Sequence, residues 1–211
     1  MAPKIAKTVE DTYKKLSQLE HVLLRPGMYI GDIDRTTSEH WILNENKFVK
    51  KNITFSPGLY KIFDEVFTNA CDHHQRDATL KKIEVNIVDN EISITNDGEN
   101  GIPVTIHKDH KCYVPAMIFG DFNTSSNYDD TEARTVGGLN GFGSKLTNIF
   151  SKSFTVEIAD GKNHYLQTWK NNMSEKTEPV IKASKKKPFV KITFTPDYQR
   201  FGMTGLEQDT I

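Results

Sequence analysis

Four glycines and a lysine crowd the stretch Gly137-Gly138-Leu139-Asn140-Gly141-Phe142-Gly143-Ser144-Lys145. A loop of this kind exposes backbone N–H groups, and a helix opening at its end adds positive partial charge, so the pair suits a phosphate. Lys145 would contribute a point charge. The stretch matches neither standard glycine signature. In G-x-x-x-x-G-K-[ST] a hydroxyl residue follows the lysine, whereas here Ser144 precedes Lys145 and Leu146 follows it. The dinucleotide fingerprint needs a strand–glycine–helix unit within a βαβ fold, and none is present. From these residues alone, phosphate binding and a structural turn are evenly matched.

A second set lies along one helical stripe. Glu65, Asn69, Asp72 and Arg76 follow at spacings of 4, 3 and 4, so at about 100° per residue they project side by side along an apolar face. Glu65 has the chemistry to orient or deprotonate a water, and Asn69 to offer its amide oxygen to a hard cation such as Mg²⁺. The polar border of any surface helix looks similar. Next comes Thr95-Asn96-Asp97-Gly98-Glu99-Asn100-Gly101-Ile102-Pro103, just past a strand. Its glycines allow close backbone approach, and Asn96 carries a donor and an acceptor suited to a purine edge. A decorated loop has the same composition. Thr124-Ser125-Ser126-Asn127 is a run of small donors, fit for the phosphate or ribose side of a pocket or for an ordinary loop.

The elements that must position these groups are legible. Ser56-Pro57 is a capping hydroxyl followed by proline at the first helical position. Leu59, Ile62, Phe63, Val66, Phe67 and Ala70 then recur with a helical period. Residues 82–88 and 91–95 alternate around Asp89-Asn90, which predicts two antiparallel strands. Short helices are expected at 114–119 and from Gly143 onward, and strands at 154–158, 165–169 and 190–194. Upstream, residues 1–20 read as a polar arm with one short helix around 9–16, and Pro26-Gly27 turns the chain between two apolar clusters. A short strand pair is expected near 41–48 and 52–55. The sum is an α+β fold, a two-layer sandwich of helices on an antiparallel-rich mixed sheet. The expected division is an N-terminal arm at 1–30 and a domain at 31–211.

Composition removes several classes. With 27 Lys and Arg against 28 Asp and Glu, the net charge of −1 gives no support to binding nucleic acid over the whole surface. The Lys185-Lys186-Lys187 cluster reads as a solvated loop. Cys71 and Cys112 are too few for a disulfide framework or a four-ligand zinc site. No run approaches the roughly 20 apolar residues that span a bilayer, and residues 1–7 lack the apolar run of a signal peptide. No membrane partner is expected, and an intracellular location is the default.

Taken in order, these segments form a pattern. A helix with Glu65 and Asn69 precedes Asn-Asp-Gly, then Thr-Ser-Ser-Asn-Tyr-Asp-Asp, then Gly-Gly-x-Asn-Gly-x-Gly-x-Lys. From about residue 8 to the end, the chain closely resembles the N-terminal ATPase domain of eukaryotic-type type IIA DNA topoisomerases. That domain has the Bergerat ATP-binding fold shared by gyrase, Hsp90, histidine kinases and mismatch-repair MutL proteins. Leu19-Glu20-His21-Val22-Leu23-Leu24-Arg25-Pro26, Pro57-Gly58-Leu59-Tyr60-Lys61-Ile62-Phe63-Asp64-Glu65 and Gln75-Arg76-Asp77 carry the closer resemblance.

The resemblance implies roles. Glu65 would be the general base for the water that attacks the γ-phosphate, and Asn69 would hold Mg²⁺. Asn96 would bond the adenine amino group. Ser125, Ser126 and Asn127 would contact ribose and phosphates. Asn140, Gly141, Phe142, Gly143, Ser144 and Lys145 would wrap the triphosphate. Arg76 would reach toward a phosphate, and Tyr29 would cross to a partner subunit's nucleotide. The cofactors implied are ATP and Mg²⁺, the partners DNA through the full-length enzyme and a second copy in an ATP-promoted dimer. The implied compartment is the nucleus, or a host cell or virion for a viral enzyme.

The chain departs from the family pattern in places. One extra residue separates Gly98 from Gly101, His73 stands where an Asn is usual, and Leu139 where an Arg is common. A working site with altered nucleotide affinity is expected. The resemblance also implies that a transducer domain with a phosphate-reaching lysine would follow, so weak turnover is expected of this piece alone. Other readings are an ATPase of another branch, such as a chaperone or mismatch-repair clamp, a nucleotide-binding regulatory module without hydrolysis, and a DNA-binding structural protein.

Overall fold

The computed structural model describes residues 8–122 and 141–207. Two short helices, α1 (Val9–Thr12) and α2 (Gln18–Leu24), precede a hairpin of β1 (Thr36–Asn44) and β2 (Lys47–Phe55). The long helix α3 (Pro57–Arg76) leads into β3 (Ile83–Val88) and β4 (Glu91–Asp97). After α4 (Val114–Gly120) and α5 (Gly143–Ile149) come β5 (Ser151–Ala159), β6 (Asn163–Lys170), β7 (Glu175–Lys176), β8 (Val180–Ala183) and β9 (Phe189–Pro196). The main sheet runs β3-β4-β9-β5-β6-β7, with β8 also on β6, and every pairing among the described residues is antiparallel.

Alternation along the strands sets the layers. In β4 the buried positions are Ile92, Ile94 and Asn96, and in β9 they are Val190, Ile192, Phe194 and Pro196. Hydroxyl and charged residues occupy the intervening positions, so one sheet face packs on helices and the other meets water. The core has two clusters. One joins Val66 and Ala70 of α3 to Ile94, Phe154, Trp169, Ile192 and Phe194. The other joins Leu59 and Ile62, from the first half of α3, to Val22, Ile30, Leu146, Ile149 and Phe150. One helix therefore ties both clusters together and gives its polar border a rigid base.

The cap of that helix is built as its sequence predicts. Ser56 is fully buried, and its Oγ accepts from the Leu59 amide at 3.4 Å and donates to the Ile33 carbonyl at 3.0 Å. Ser56→Ala leaves both groups without that partner and should cost about 1–2 kcal/mol in chemical denaturation. An unchanged denaturation midpoint would show that the cap is dispensable.

The N-terminal part differs from expectation. The helix expected at 9–16 ends at Thr12, and α2 starts instead from a reciprocal capping box between Ser17 and Glu20. The Pro26-Gly27 turn is a short 3₁₀ helix, Pro26–Met28. The strand expected at 41–48 is cut by a turn at Glu45-Asn46, whose φ values of 47° and 64° fit a two-residue hairpin. Apolar residues on both sides of that turn, paired as Leu43 with Phe48, mimic one continuous strand. β7 and β8 are too short and too exposed to leave a periodic signal.

Candidate functional site

α3 serves as a ruler for the site. Glu65 and His73 lie eight positions apart, which is roughly 12 Å along a helix axis at 1.5 Å per residue. At the first position, Lys61 Nζ bonds Glu65 Oε1 at 2.6 Å, and the carboxylate beside it pushes the Lys61 ammonium above its ordinary value. The other oxygen, Oε2, lies against the start of α5: a Cβ on Gly143 would fall 1.9 Å from it. A side chain there would have to displace the Glu65 carboxylate, so the glycine-rich stretch is brought directly onto the candidate base. Thr147 Oγ1, one turn into α5, donates to the Ile62 carbonyl at 2.8 Å and fastens the two helices.

At the other end of the ruler sits Asn96. The inward alternation of β4 places it among buried positions, 6% exposed, with Ile83 and Val190 as its cross-strand neighbours. Its Nδ2 is 2.7 Å from His73 Nδ1, and His73 Nε2 is 3.2 Å from the Asn100 carbonyl oxygen. Asp77 anchors the loop. It accepts from the Thr79 hydroxyl at 2.6 Å and amide at 2.9 Å, and from the Asn100 amide at 2.9 Å and Nδ2 at 3.2 Å. These bonds, those from Thr79 foremost, hold the Asp77 carboxyl well below the usual carboxylate range. Asp97 Oδ1 accepts from the Lys81 and Lys82 amides and zips the same two loops together. The extra loop residue is thus held by Asp77 and His73.

Between the two ends lies Asn69. It is exposed, and no hydrogen bond is made to it by side chains of the described residues. An open amide oxygen fits a hard cation, but among the described residues no group of three or more His, Cys, Asp or Glu exists to hold a metal. A Mg²⁺ at Asn69 would therefore need phosphate oxygens for its remaining ligands, as is usual for this ion.

Lys145 is 2% exposed, with Nζ 2.5 Å from the Gly141 carbonyl oxygen. Burial lowers its ammonium to about 8, and the Asp121 carboxylate opposes the shift. Below about pH 8 the side chain is charged in both the folded and unfolded chain and the burial penalty is complete. Between 8 and the ordinary 10.5 the unfolded chain holds more protons, so stability rises with pH. Attraction for a phosphate runs the other way, because the folded chain loses the charge there. Affinity for a triphosphate should fall from pH 7 to pH 9, and Lys145→Met should remove that slope. An equal slope in the variant would assign the pH dependence to another group.

The stripe foreseen on α3 is only partly a surface feature. Glu65 and Asn69 face the site, whereas Asp72 is buried at 4% exposure. Arg76 is exposed in the last turn of α3. Gly141, Phe142, Gly143, Ser144 and Lys145 lead into α5, with Ser144 and Lys145 buried. Tyr29 accompanies α2, its hydroxyl 2.9 Å from His21 Nδ1, and Val22 and Ile30 on either side are buried in the second core cluster. Ser125, Ser126, Asn127 and Asn140 lie outside the described residues. Sequence reading missed the linkage of His73 and Asp77 to Asn96. Its one signal was that the two departures, at 73 and at 99–100, fall in the two segments that meet.

The family described as histidine kinase-, DNA gyrase B-, and HSP90-like ATPase matches residues 55–198. The chain is 50% identical over 210 residues to DNA topoisomerase 2 of Arabidopsis thaliana, covering 97% of this chain and 14% of that protein. It therefore spans about one-seventh of the length of this curated relative. Among solved structures, the ATPase region of Saccharomyces cerevisiae topoisomerase II superposes with a TM-score of 0.92 at 48% identity, over 95% of this chain and 55% of that one. The ATPase and transducer domains of Balamuthia mandrillaris DNA topoisomerase II also give 0.92, at 47% identity over 96% of this chain and 54% of that one.

Proposed function

The chain belongs to the histidine kinase-, DNA gyrase B-, and HSP90-like ATPase family, and from that premise we propose that it binds and hydrolyses ATP as the nucleotide-operated gate of a type IIA DNA topoisomerase. The observation that carries this reading is the span of α3, which holds Glu65 against Gly143 at one end and His73 against Asn96 at the other. A purine bonded at Asn96, between Ile83 and Val190, would direct its phosphates along α3 past Asn69 to the glycine-rich stretch. The open amides at the start of α5 and the Lys145 ammonium would then bind the phosphate oxygens.

Glu65 would accept the proton of the attacking water and fix its direction, while Lys61 holds the carboxylate in place. Mg²⁺, when bound with the nucleotide at Asn69, supplies charge neutralisation at the phosphates. Ser125, Ser126, Asn127 and Asn140 would complete the ribose and phosphate contacts, Arg76 would approach a phosphate, and Tyr29 would meet the nucleotide of a second copy in an ATP-promoted dimer. DNA would be the partner of the longer protein, which would pass one duplex through a transient break in another, in the nucleus of a eukaryote or in an infected host cell.

Calorimetric titration with a non-hydrolysable ATP analogue and Mg²⁺, beside an Asn96→Ala variant, tests the site. Saturable binding that is lost in the variant supports the purine pocket. Absence of binding by the folded, unsubstituted chain removes the reading.

A further inference from the structure

We infer that His73 sets the base selectivity of the nucleotide site by fixing which end of the Asn96 amide faces the ligand. This rests on the reading of Asn96 as the residue that meets the base. Asn96 can present either a donor, its NH₂, or an acceptor, its oxygen, depending on how the amide is turned. The surrounding bonds decide between them. The Asn100 carbonyl oxygen, 3.2 Å from His73 Nε2, can only accept, so Nε2 must carry the proton. A neutral imidazole protonated at Nε2 has a bare lone pair on Nδ1. That lone pair lies 2.7 Å from the Asn96 amide and can be met only by the NH₂ end.

The longer contact from Asn96 Nδ2 to the Asp97 carbonyl oxygen, at 3.4 Å, favours the same orientation but is near the limit of a hydrogen bond. Among the described residues no donor reaches Oδ1. The site therefore offers an acceptor, complementary to the amino group at position 6 of adenine and mismatched with the carbonyl that hypoxanthine and guanine carry there. The orientation originates in a backbone carbonyl, passes through one imidazole tautomer and ends at the base. Asp77, 3.6 Å from Nε2, is a second acceptor on the same side and reinforces the tautomer. His73 is thus a positioning residue and need not touch the base itself.

The test compares the affinities of this 211-residue chain for non-hydrolysable analogues of ATP and of inosine triphosphate, with Mg²⁺. The unsubstituted chain should prefer the adenine analogue by at least about tenfold, as a site with a committed hydrogen-bonding group does. In His73→Ala the amide is free to turn, and the preference should collapse to within about threefold, chiefly through tighter binding of the inosine analogue. His73→Met, closer in volume and without a ring nitrogen, should do the same if the alanine variant folds poorly.

Adding Asn96→Asp to His73→Ala should restore the preference, because a carboxylate presents an acceptor whichever way it turns. An undiminished preference in both single variants overturns the proposal. So does an equal loss of both affinities without rescue, which would mark His73 as merely structural. Failure of the unsubstituted chain to bind the ATP analogue overturns the site reading itself, and this proposal with it. Binding of both analogues equally by that chain overturns the proposal alone.

Discussion

Glu65→Gln is expected to retain Mg²⁺-ATP binding and to lower the single-turnover rate of hydrolysis by about 10²–10⁴-fold, the range for loss of a positioned general base. Glutamine keeps the shape of the side chain, so the tight contact with Gly143 persists and the helix start stays in place. What it removes is the ability to take a proton. Lys61→Ala is the companion variant. Lys61 and Glu65 are both partly exposed, and a pair of that kind is worth only about 0–1 kcal/mol. The Lys61 variant should therefore hydrolyse within about tenfold of the unsubstituted chain. Equal turnover by Glu65→Gln and the unsubstituted chain would transfer the role of base to another residue, and a loss of ATP binding would make Glu65 a ligand contact instead.

The largest effect on stability is expected from Gly98→Ala. Gly98 has φ +131°, a conformation open almost only to glycine, and a Cβ there would lie 2.7 Å from Asp77 Oδ2 and 3.3 Å from the buried Leu80. The backbone term alone is about 1–3 kcal/mol. Displacing the carboxylate also breaks bonds from Asn100, and hydrogen bonds to a charged group contribute about 1.5–3 kcal/mol each. A total loss of roughly 3–5 kcal/mol follows, and the preference for adenine should weaken as His73 loses the Asn100 carbonyl.

Gly101→Ala is the control within the same loop. Its nearest neighbours would be 3.9 and 4.0 Å from a Cβ, which is ordinary contact, so its cost should stay below about 1 kcal/mol. Chemical denaturation of the two variants reads the difference directly. Similar midpoints would mean that the Asp77 network does not hold the loop.

Most of what is periodic or local was legible in the residues alone. Ser56-Pro57 specified where α3 starts, because capping is a contact between near neighbours. The 3.6-residue recurrence from Leu59 to Ala70 specified which face of α3 is buried. Alternation over 91–95 specified that Ile92 and Ile94 point inward, and Asp89-Asn90 specified the turn before them; that the strand runs on to Asp97 and carries Asn96 to the same face was visible only in the structure. The glycine at 98 marked a backbone conformation that a side chain disfavours, and the glycine at 143 a close approach to the Glu65 carboxylate. From these features the candidate base, the purine-reading amide and the glycine-rich stretch could all be named.

How these groups meet depends on the packing of whole elements. Glu65 and Gly143 come from helices far apart in the chain, and their contact depends on the packing angle of α3 on α5, which periodicity does not encode. Asp72 belongs to the same polar stripe as Glu65 in sequence, yet it is buried in the folded chain. His73 reads as one more polar residue in the last turn of α3. It acquires a role through a partner 23 residues away and a carbonyl 27 residues away, contacts that exist only once strand and helix are registered. Periodicity reports which side of an element leaves water, whereas the identity of the neighbour on that side is fixed by how whole elements pack.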